Sequence, residues 1–167
     1  MIFKSNTHID DLYNILLTLS RNIFFYKSVN LKDNFETRIY LMFMHFSILM
    51  IVSKNKGLKF SQKSYDLLFH NIENNLREAG LGDVAVNKKM KELNKILYDI
   101  LLKIKSDNIN KNTFKTNHSL IIKYFEELKD PKSSQFEDFD SYFINFFKYC
   151  FELPHNYMIK ELINFKY

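Results

Sequence analysis

Glycine, proline, cysteine and arginine are all scarce in this chain. Three glycines and two prolines in 167 residues argue against a β sandwich or barrel, because such folds need frequent turn residues. The lone cysteine, Cys150, excludes an intramolecular disulfide and fits a reducing, cytoplasmic compartment. Only three of the 24 basic residues are arginine, and lysine lacks the bidentate fork that reads base edges. Sequence-specific nucleic-acid recognition is therefore not expected.

Targeting and membrane-spanning segments are not expected either. The first residues, MIFKSNTHIDDLYN, include Asp10 and Asp11, which do not fit a signal or transit peptide. The most apolar run, residues 39–52, is shorter than the roughly 20 residues that cross a bilayer, so it predicts a buried helix. With a net charge of +5, weak contact with a phosphate-rich surface such as anionic lipid stays open.

Apolar residues recur at helical spacing along the whole chain. With 46% hydrophobic residues and few breaks, the sequence predicts an all-α, single-domain bundle of about six or seven helices over residues 1–167. The polar stretch 106–116 is predicted to precede a C-terminal helical subregion, 117–167. The predicted helices cover about 9–25, 35–52, 62–79, 84–105, 117–129, 138–152 and 155–165.

Two of the three glycines lie in one octapeptide, LREAGLGD, at residues 76–83. Gly80 fits the C′ position after a helix, and Leu81 would fold back on that helix as the apolar C″ residue. Gly82 would allow a sharp turn, and Asp83 would be the N-cap of the next helix. This corner does not account for Arg77, which is either an ordinary surface residue or reaches carboxylates or carbonyls nearby. Glu78 is also left without a structural explanation.

Signals of catalysis or metal binding are weak. The five histidines show no i,i+3 or i,i+4 pairing with each other or with Cys150, and no phosphate-binding or nucleophile motif is present. His45 on an apolar helix is expected to be a hydrogen-bonded core residue. No catalytic residue, metal site or cofactor is predicted.

The corner and its flanks, YDLLFHNIENNLREAGLGDVAVNKKMKEL at residues 65–93, resemble the ubiquinol–cytochrome c chaperone family of alphaproteobacteria and mitochondria. The resemblance covers about 20–105 and includes Arg38 and His45 upstream, although Thr37 replaces a common glycine. The matching positions are Asp66, Phe69, Leu76, Arg77, Glu78, Gly80, Gly82, Asp83, Val86, Lys88, Lys89 and Met90.

The resemblance implies a non-enzymatic chaperone that binds newly made cytochrome b and promotes assembly of the bc1 complex. It also implies contact with the ribosome and a second assembly factor, at the cytoplasmic face of a bacterial inner membrane. The alternative is a generic ribosome- or RNA-associated module, which would need a clustered basic face such as Lys88, Lys89, Lys91 and Lys95. Binding candidates are Arg77, Glu78, Asp83, Lys88, Lys89, Phe69 and Arg38, with Gly80 and Gly82 as the structural corner.

Overall fold

The computed structural model describes residues 7–108 and 111–167, and these form an all-α bundle, as predicted. Short 3₁₀ turns at Glu126–Leu128, His155–Tyr157 and Leu162–Asn164 connect or extend the later helices. The helices are α1 (Thr7–Ser20), α2 (Ile23–Lys27), α3 (Phe35–Asn55), α4 (Gln62–Glu78), α5 (Asp83–Asn108), α6 (His118–Tyr124), α7 (Ser134–Glu152) and α8 (Met158–Glu161).

Helix α3 is the centre of the bundle. The side chain of Asn34 caps its first turn by accepting a hydrogen bond from the Thr37 amide at 2.9 Å. Apolar residues surround the helix axis, and every residue from Leu41 to Leu49 is buried. Helices α1, α5 and α7 pack around it. The predicted buried helix is therefore confirmed.

Within the described residues, α3 is also the one helix long and apolar enough to cross a membrane by length and composition. Of its most apolar 18-residue window, 72% is buried inside the protein. A core helix of a soluble protein passes the same test, so its composition agrees with its central place in the bundle.

The surrounding helices each bury one stripe and leave the opposite side in water. Helix α4 packs against α1 and α5, α5 also packs against α3, and α8 rests on α1. Aromatic rings fill the interface of α7 with the rest of the core. The buried stripe of α5 consists of Val86, Leu93, Leu97, Ile100 and Ile104. Each stripe follows the spacing that predicted its helix.

Some helix boundaries differ from those predicted. The first helix breaks after Ser20, because the Asn22 side chain accepts a hydrogen bond from the Phe24 amide and starts α2. Helix α7 begins at Ser134, since Ser133 Oγ caps it through the Phe136 amide at 3.2 Å. The predicted start of this helix, at residue 138, therefore lies inside α7.

The predicted helices over 117–129 and 155–165 are shorter than expected. Helix α6 ends at Tyr124, and the segment after Pro154 contains one helical turn, α8, between 3₁₀ turns. Helix α7 packs directly on α3. The division into a main part and a C-terminal subregion at 117–167 stays a prediction.

Candidate functional site

The corner between α4 and α5 has the hydrogen bonds of a Schellman motif. The amide of Gly80 donates to the Arg77 carbonyl at 2.9 Å, and the amide of Leu81 donates to the Leu76 carbonyl at 3.2 Å. Gly80 has a φ of +91°, which a residue with a side chain rarely adopts. Leu81 is partly buried against the core, so both predicted roles are confirmed.

The second half of the corner is built differently from the prediction. Helix α5 begins at Asp83, and the Val86 amide donates to the Gly82 carbonyl at 3.0 Å, which makes Gly82 the N-cap residue. Asp83 as the N-cap was therefore wrong. Gly82 has no left-handed φ, and an added Cβ would meet no atom within 4 Å. Of the two corner glycines, only Gly80 is required by its backbone conformation.

Arg77 links the two helices across the corner. Its guanidinium donates to Glu73 Oε1 at 2.9 Å, one turn back on α4, and to Asp83 Oδ1 in the first turn of α5. These two hydrogen bonds raise the pKa of the guanidinium. Of the two interpretations left open for Arg77, the contact with nearby carboxylates is the one observed. Glu78 is exposed and has no ion-pair partner among the described residues.

The remaining candidates lie in three different environments. Lys88 is exposed on α5, whereas Lys89 is 22% exposed and lies 3.5 Å from Glu36 Oε1 of α3. Phe69 is buried, and its ring stacks on those of Tyr65 and Phe43, so a partner cannot reach it. Arg38, in the first part of α3, pairs with Asp33 at 2.6 Å in the preceding loop. Of the candidates, Arg77, Glu78, Asp83 and Lys88 are exposed at the corner or in the first two turns of α5, and we call these four the corner surface.

The structure also reveals a line of side chains that the sequence reading did not identify as a unit. We call it the α5 outer row. Its members follow each other at alternating intervals of four and three residues, which keeps them on one side of a helix. They are Val84, Lys88, Lys91, Lys95, Tyr98, Leu102 and Lys105. The signal in the sequence was this spacing, but the row mixes four lysines with three apolar or aromatic residues, so neither a purely charged nor a purely apolar stripe marks it.

Lys89 does not belong to this row. It was grouped with Lys88, Lys91 and Lys95 by position along the chain, yet its ammonium group also lies 3.6 Å from Glu92 Oε2, on the side that faces α3. Of the four lysines predicted to form one basic face, Lys88, Lys91 and Lys95 lie in the row, and Lys89 lies on another side of the helix.

The carboxylates of α5 have partners away from the row. Asp83 pairs with Arg77, Glu92 with Lys89, and Asp107 accepts a hydrogen bond from Asn117. Asp99 lies 2.7 Å from Lys123 Nζ and 3.3 Å from Lys103 Nζ. Partial burial alone would raise the pKa of Asp99, but hydrogen bonds from Lys123, Tyr124 and Lys103 lower it to about 2.

The titratable groups of the core, His45 and Cys150, have the burial and contacts of structural residues. The ring of His45 is fully buried, with Nδ1 2.6 Å from the Leu41 carbonyl and Nε2 2.9 Å from the Tyr142 hydroxyl. Since a carbonyl only accepts, Nδ1–H donates to Leu41 and Nε2 accepts from Tyr142. Burial lowers the pKa of His45 to about 4 and raises that of the Cys150 thiol. Both groups are neutral at pH 7, as core residues would be.

No group of three or more histidine, cysteine, aspartate or glutamate side chains could hold a metal ion in the part of the chain that the structure describes. Two adjoining pockets of about 340 and 370 Å³ share Ile15 and Thr18 of α1 with Ile163 near the C-terminus. This α1 groove has a mixed lining, in which Ile15, Leu19, Ile163 and Phe165 lie beside polar residues and the cations Arg21 and Lys160, and no carboxylate is among its described lining residues.

Comparison with known proteins identifies a family. A family model described as ubiquinol–cytochrome C chaperone matches residues 27–112, which is more than half of the chain. No curated protein and no solved structure is significantly similar to the chain. The matched segment contains α3, α4 and α5 entirely, and with them the corner surface and the α5 outer row.

Proposed function

The chain belongs to the ubiquinol–cytochrome c chaperone family, and on that basis we propose that it is a non-catalytic assembly chaperone of the bc1 complex. We propose that it binds newly made cytochrome b and promotes its incorporation into the complex. The observation that carries the proposal is the family match over residues 27–112. The resemblance in the sequence, over about 20–105, falls on the same part of the chain.

The corner surface is the proposed contact for the client. It combines Glu78, whose charge has no partner among the described residues, with Lys88 on the adjoining turn of α5. Val84, between them in sequence, is 85% exposed and adds apolar area. The Schellman motif and the Arg77 bridge hold these groups in fixed positions, which lowers the entropy cost of binding. A surface with both charged and apolar groups suits a membrane-protein client with polar loops.

We further propose that the protein works at the cytoplasmic face of the inner membrane, beside the ribosome and together with a second assembly factor. A membrane protein that leaves the ribosome at the inner membrane still exposes its apolar segments. The proposal assigns the corner to the client and leaves the other surfaces of the bundle to these additional contacts.

The test is recovery of the client from cells in which translation has been arrested. Tagged protein should copurify cytochrome b nascent chains, and a deletion strain should contain less assembled bc1 complex. Recovery of bulk RNA without cytochrome b would contradict the proposal and favour an RNA-associated module instead. Normal bc1 content in the deletion strain would also contradict it.

Site-specific photo-crosslinking tests which surface is used. A photoreactive residue in place of Glu78 or Lys88 should crosslink to cytochrome b. The matched control is Ile163, which is 63% exposed in the α1 groove and lies outside the matched segment. Crosslinks from Ile163 and none from the corner would move the client to the α1 groove.

A further inference from the structure

The α5 outer row runs along one side of its helix for nearly the whole length of α5. From Val84 to Lys105 it covers 21 residue steps, or about 30 Å of helix axis. Its apolar members are strongly exposed: Val84 by 85%, Leu102 by 60% and Tyr98 by 53%. The buried stripe of α5 lies on the opposite side of the helix. The ring of Tyr98 also lies 6.4 Å from that of Tyr65 on α4, but half of its side chain remains in water. The exposed parts of these three side chains can therefore contact another surface.

The charges of the row are all positive. Lys88, Lys91, Lys95 and Lys105 have no carboxylate partner in the described part of the chain. All the carboxylates of α5 are held by cations or an amide elsewhere, as shown above. A line of unpaired ammonium groups without interspersed carboxylates is complementary to a surface with a high density of negative charge.

The order of apolar and basic side chains indicates which negative surface this is. At a bilayer interface, leucine and tyrosine enter the headgroup region while lysine stems lie alongside and their ammonium groups reach the phosphates. A nucleic acid would satisfy the lysines but leave Val84 and Leu102 against water or phosphate, and the row has no arginine to stack on bases. The row therefore fits anionic lipid better than RNA.

A small cleft extends the apolar surface next to the row. It has a volume of about 120 Å³ and lies beside Tyr98. Met50, Phe60, Tyr65 and Leu101 contribute to its walls. The apolar contact area at the C-terminal end of α5 is thus larger than Tyr98 and Leu102 alone provide.

We propose that the part of the α5 outer row beyond the corner, from Lys91 to Lys105, docks the protein on the surface of an anionic lipid bilayer, with the axis of α5 parallel to the membrane plane. The assignment rests on the proposed location at the inner membrane. Its test uses purified protein and lipid alone, so it fails or succeeds independently of cytochrome b binding.

The experiment is flotation of the full chain with vesicles of phosphatidylcholine, with or without roughly 30% phosphatidylglycerol. The wild type should bind only the anionic vesicles, and less as salt is raised. Combined Lys91→Gln, Lys95→Gln and Lys105→Gln should weaken binding at least about tenfold. Combined Tyr98→Ser and Leu102→Ser should weaken it about fivefold.

Matched controls exist elsewhere on the surface. Tyr157 and Ile163 are exposed by 58% and 63%, so Tyr157→Ser with Ile163→Ser also removes one tyrosine and one branched aliphatic side chain at similar exposure. This control should bind as the wild type does. Circular dichroism establishes that each variant is folded. Because the chain has no tryptophan, Tyr98→Trp gives a single fluorescent reporter, whose emission should shift to the blue on anionic vesicles.

Three results would overturn the proposal. The first is equal binding to neutral and anionic vesicles, and the second is an equal loss in the control variant. The third is affinity for a single-stranded RNA oligonucleotide with none for vesicles, which would assign the lysines to RNA. Vesicle binding by a protein that recovers no cytochrome b would instead leave this proposal standing and contradict the proposed client.

Discussion

Helices α3 and α5 are the two longest of the described helices and pack against each other, yet they differ in how they meet solvent. Helix α3, with 21 residues, is enclosed by its neighbours, and its middle is buried on every side. Helix α5, with 26 residues, buries one stripe and leaves the outer row in water. Both are helical for the same local reasons, but only α5 has a side available to partners.

The difference separates the side chains that stabilise this fold from those that are accessible to a partner. Side chains of α3 were removed from water on folding, so truncating one loses burial and leaves a cavity. Side chains of the outer row remain hydrated in the folded protein, so truncating one changes the free energy of unfolding little. The same substitution should therefore act on stability in α3 and on binding in α5.

Truncation of one leucine in each helix tests this directly and should give the largest effect. Leu49 in α3 is 0% exposed, whereas Leu102 in α5 is 60% exposed. Leu49→Ala should lower the free energy of unfolding by about 2–5 kcal/mol, because it creates a buried cavity. Leu102→Ala should change it by less than about 0.5 kcal/mol. Urea denaturation of both variants measures the difference, and similar losses would refute the contrast.

The pH dependence of stability tests how completely α3 is buried, because His45 lies in this helix. Its folded pKa of about 4 lies below the unfolded value near 6.5, so between these values the unfolded chain binds a proton that the folded chain does not. The free energy of unfolding should therefore decrease as the pH falls from 7 to 5, by about 2 kcal/mol from this residue. Urea titrations at both pH values measure the change.

His45→Gln provides the control for the pH experiment. The variant should be less stable at pH 7, because the Tyr142 hydroxyl loses its imidazole acceptor. It should also lose most of the decrease between pH 7 and pH 5. An unchanged slope would mean that other groups titrate in this window and that His45 is not the cause.

Periodicity predicted α3, α4 and α5 to within a few residues, because each has a long stripe of apolar residues and polar ends. It did not predict the break at Asn22, since apolar residues resume at Ile23 and only a local side-chain cap starts the new helix. The pairing of His45 with Tyr142, 97 residues later, depends on the packing of α7 against α3. No local pattern contains that information.

The candidate site was predictable only in part. Gly80 has a strong local signature, and the structure confirms its role. Lys89 and Lys91 are two positions apart in sequence, but the helix turns them to different sides, one toward Glu36 and the other to solvent. The family resemblance found in the sequence is confirmed, although it indicates no particular surface as the binding site.

The next prediction concerns the corner between α4 and α5. Gly80→Ala should lower the free energy of unfolding by about 1–2 kcal/mol, because it places a side chain at a φ of +91°. Gly82→Ala should change it by less than about 0.5 kcal/mol, since its backbone is not left-handed and a Cβ would contact nothing. Thermal denaturation of the two variants measures both effects. Equal losses would show that the corner depends on both glycines, as the sequence alone suggested.

The smallest effect on stability is expected at Arg77, where the effect on binding should be the largest of the corner. Its side chain is 41% exposed, and exposed ion pairs contribute little to folding, so Arg77→Ala should unfold near the wild-type temperature. It should nevertheless reduce recovery of cytochrome b, because Asp83 and Glu73 lose the cation that holds them in place. Arg38→Ala is the matched control, since Arg38 is 36% exposed and pairs with Asp33 away from the corner. If Arg77→Ala unfolds as readily as Gly80→Ala, then Arg77 is a structural residue of the corner. If Arg38→Ala loses the client and Arg77→Ala does not, the contact lies at the start of α3.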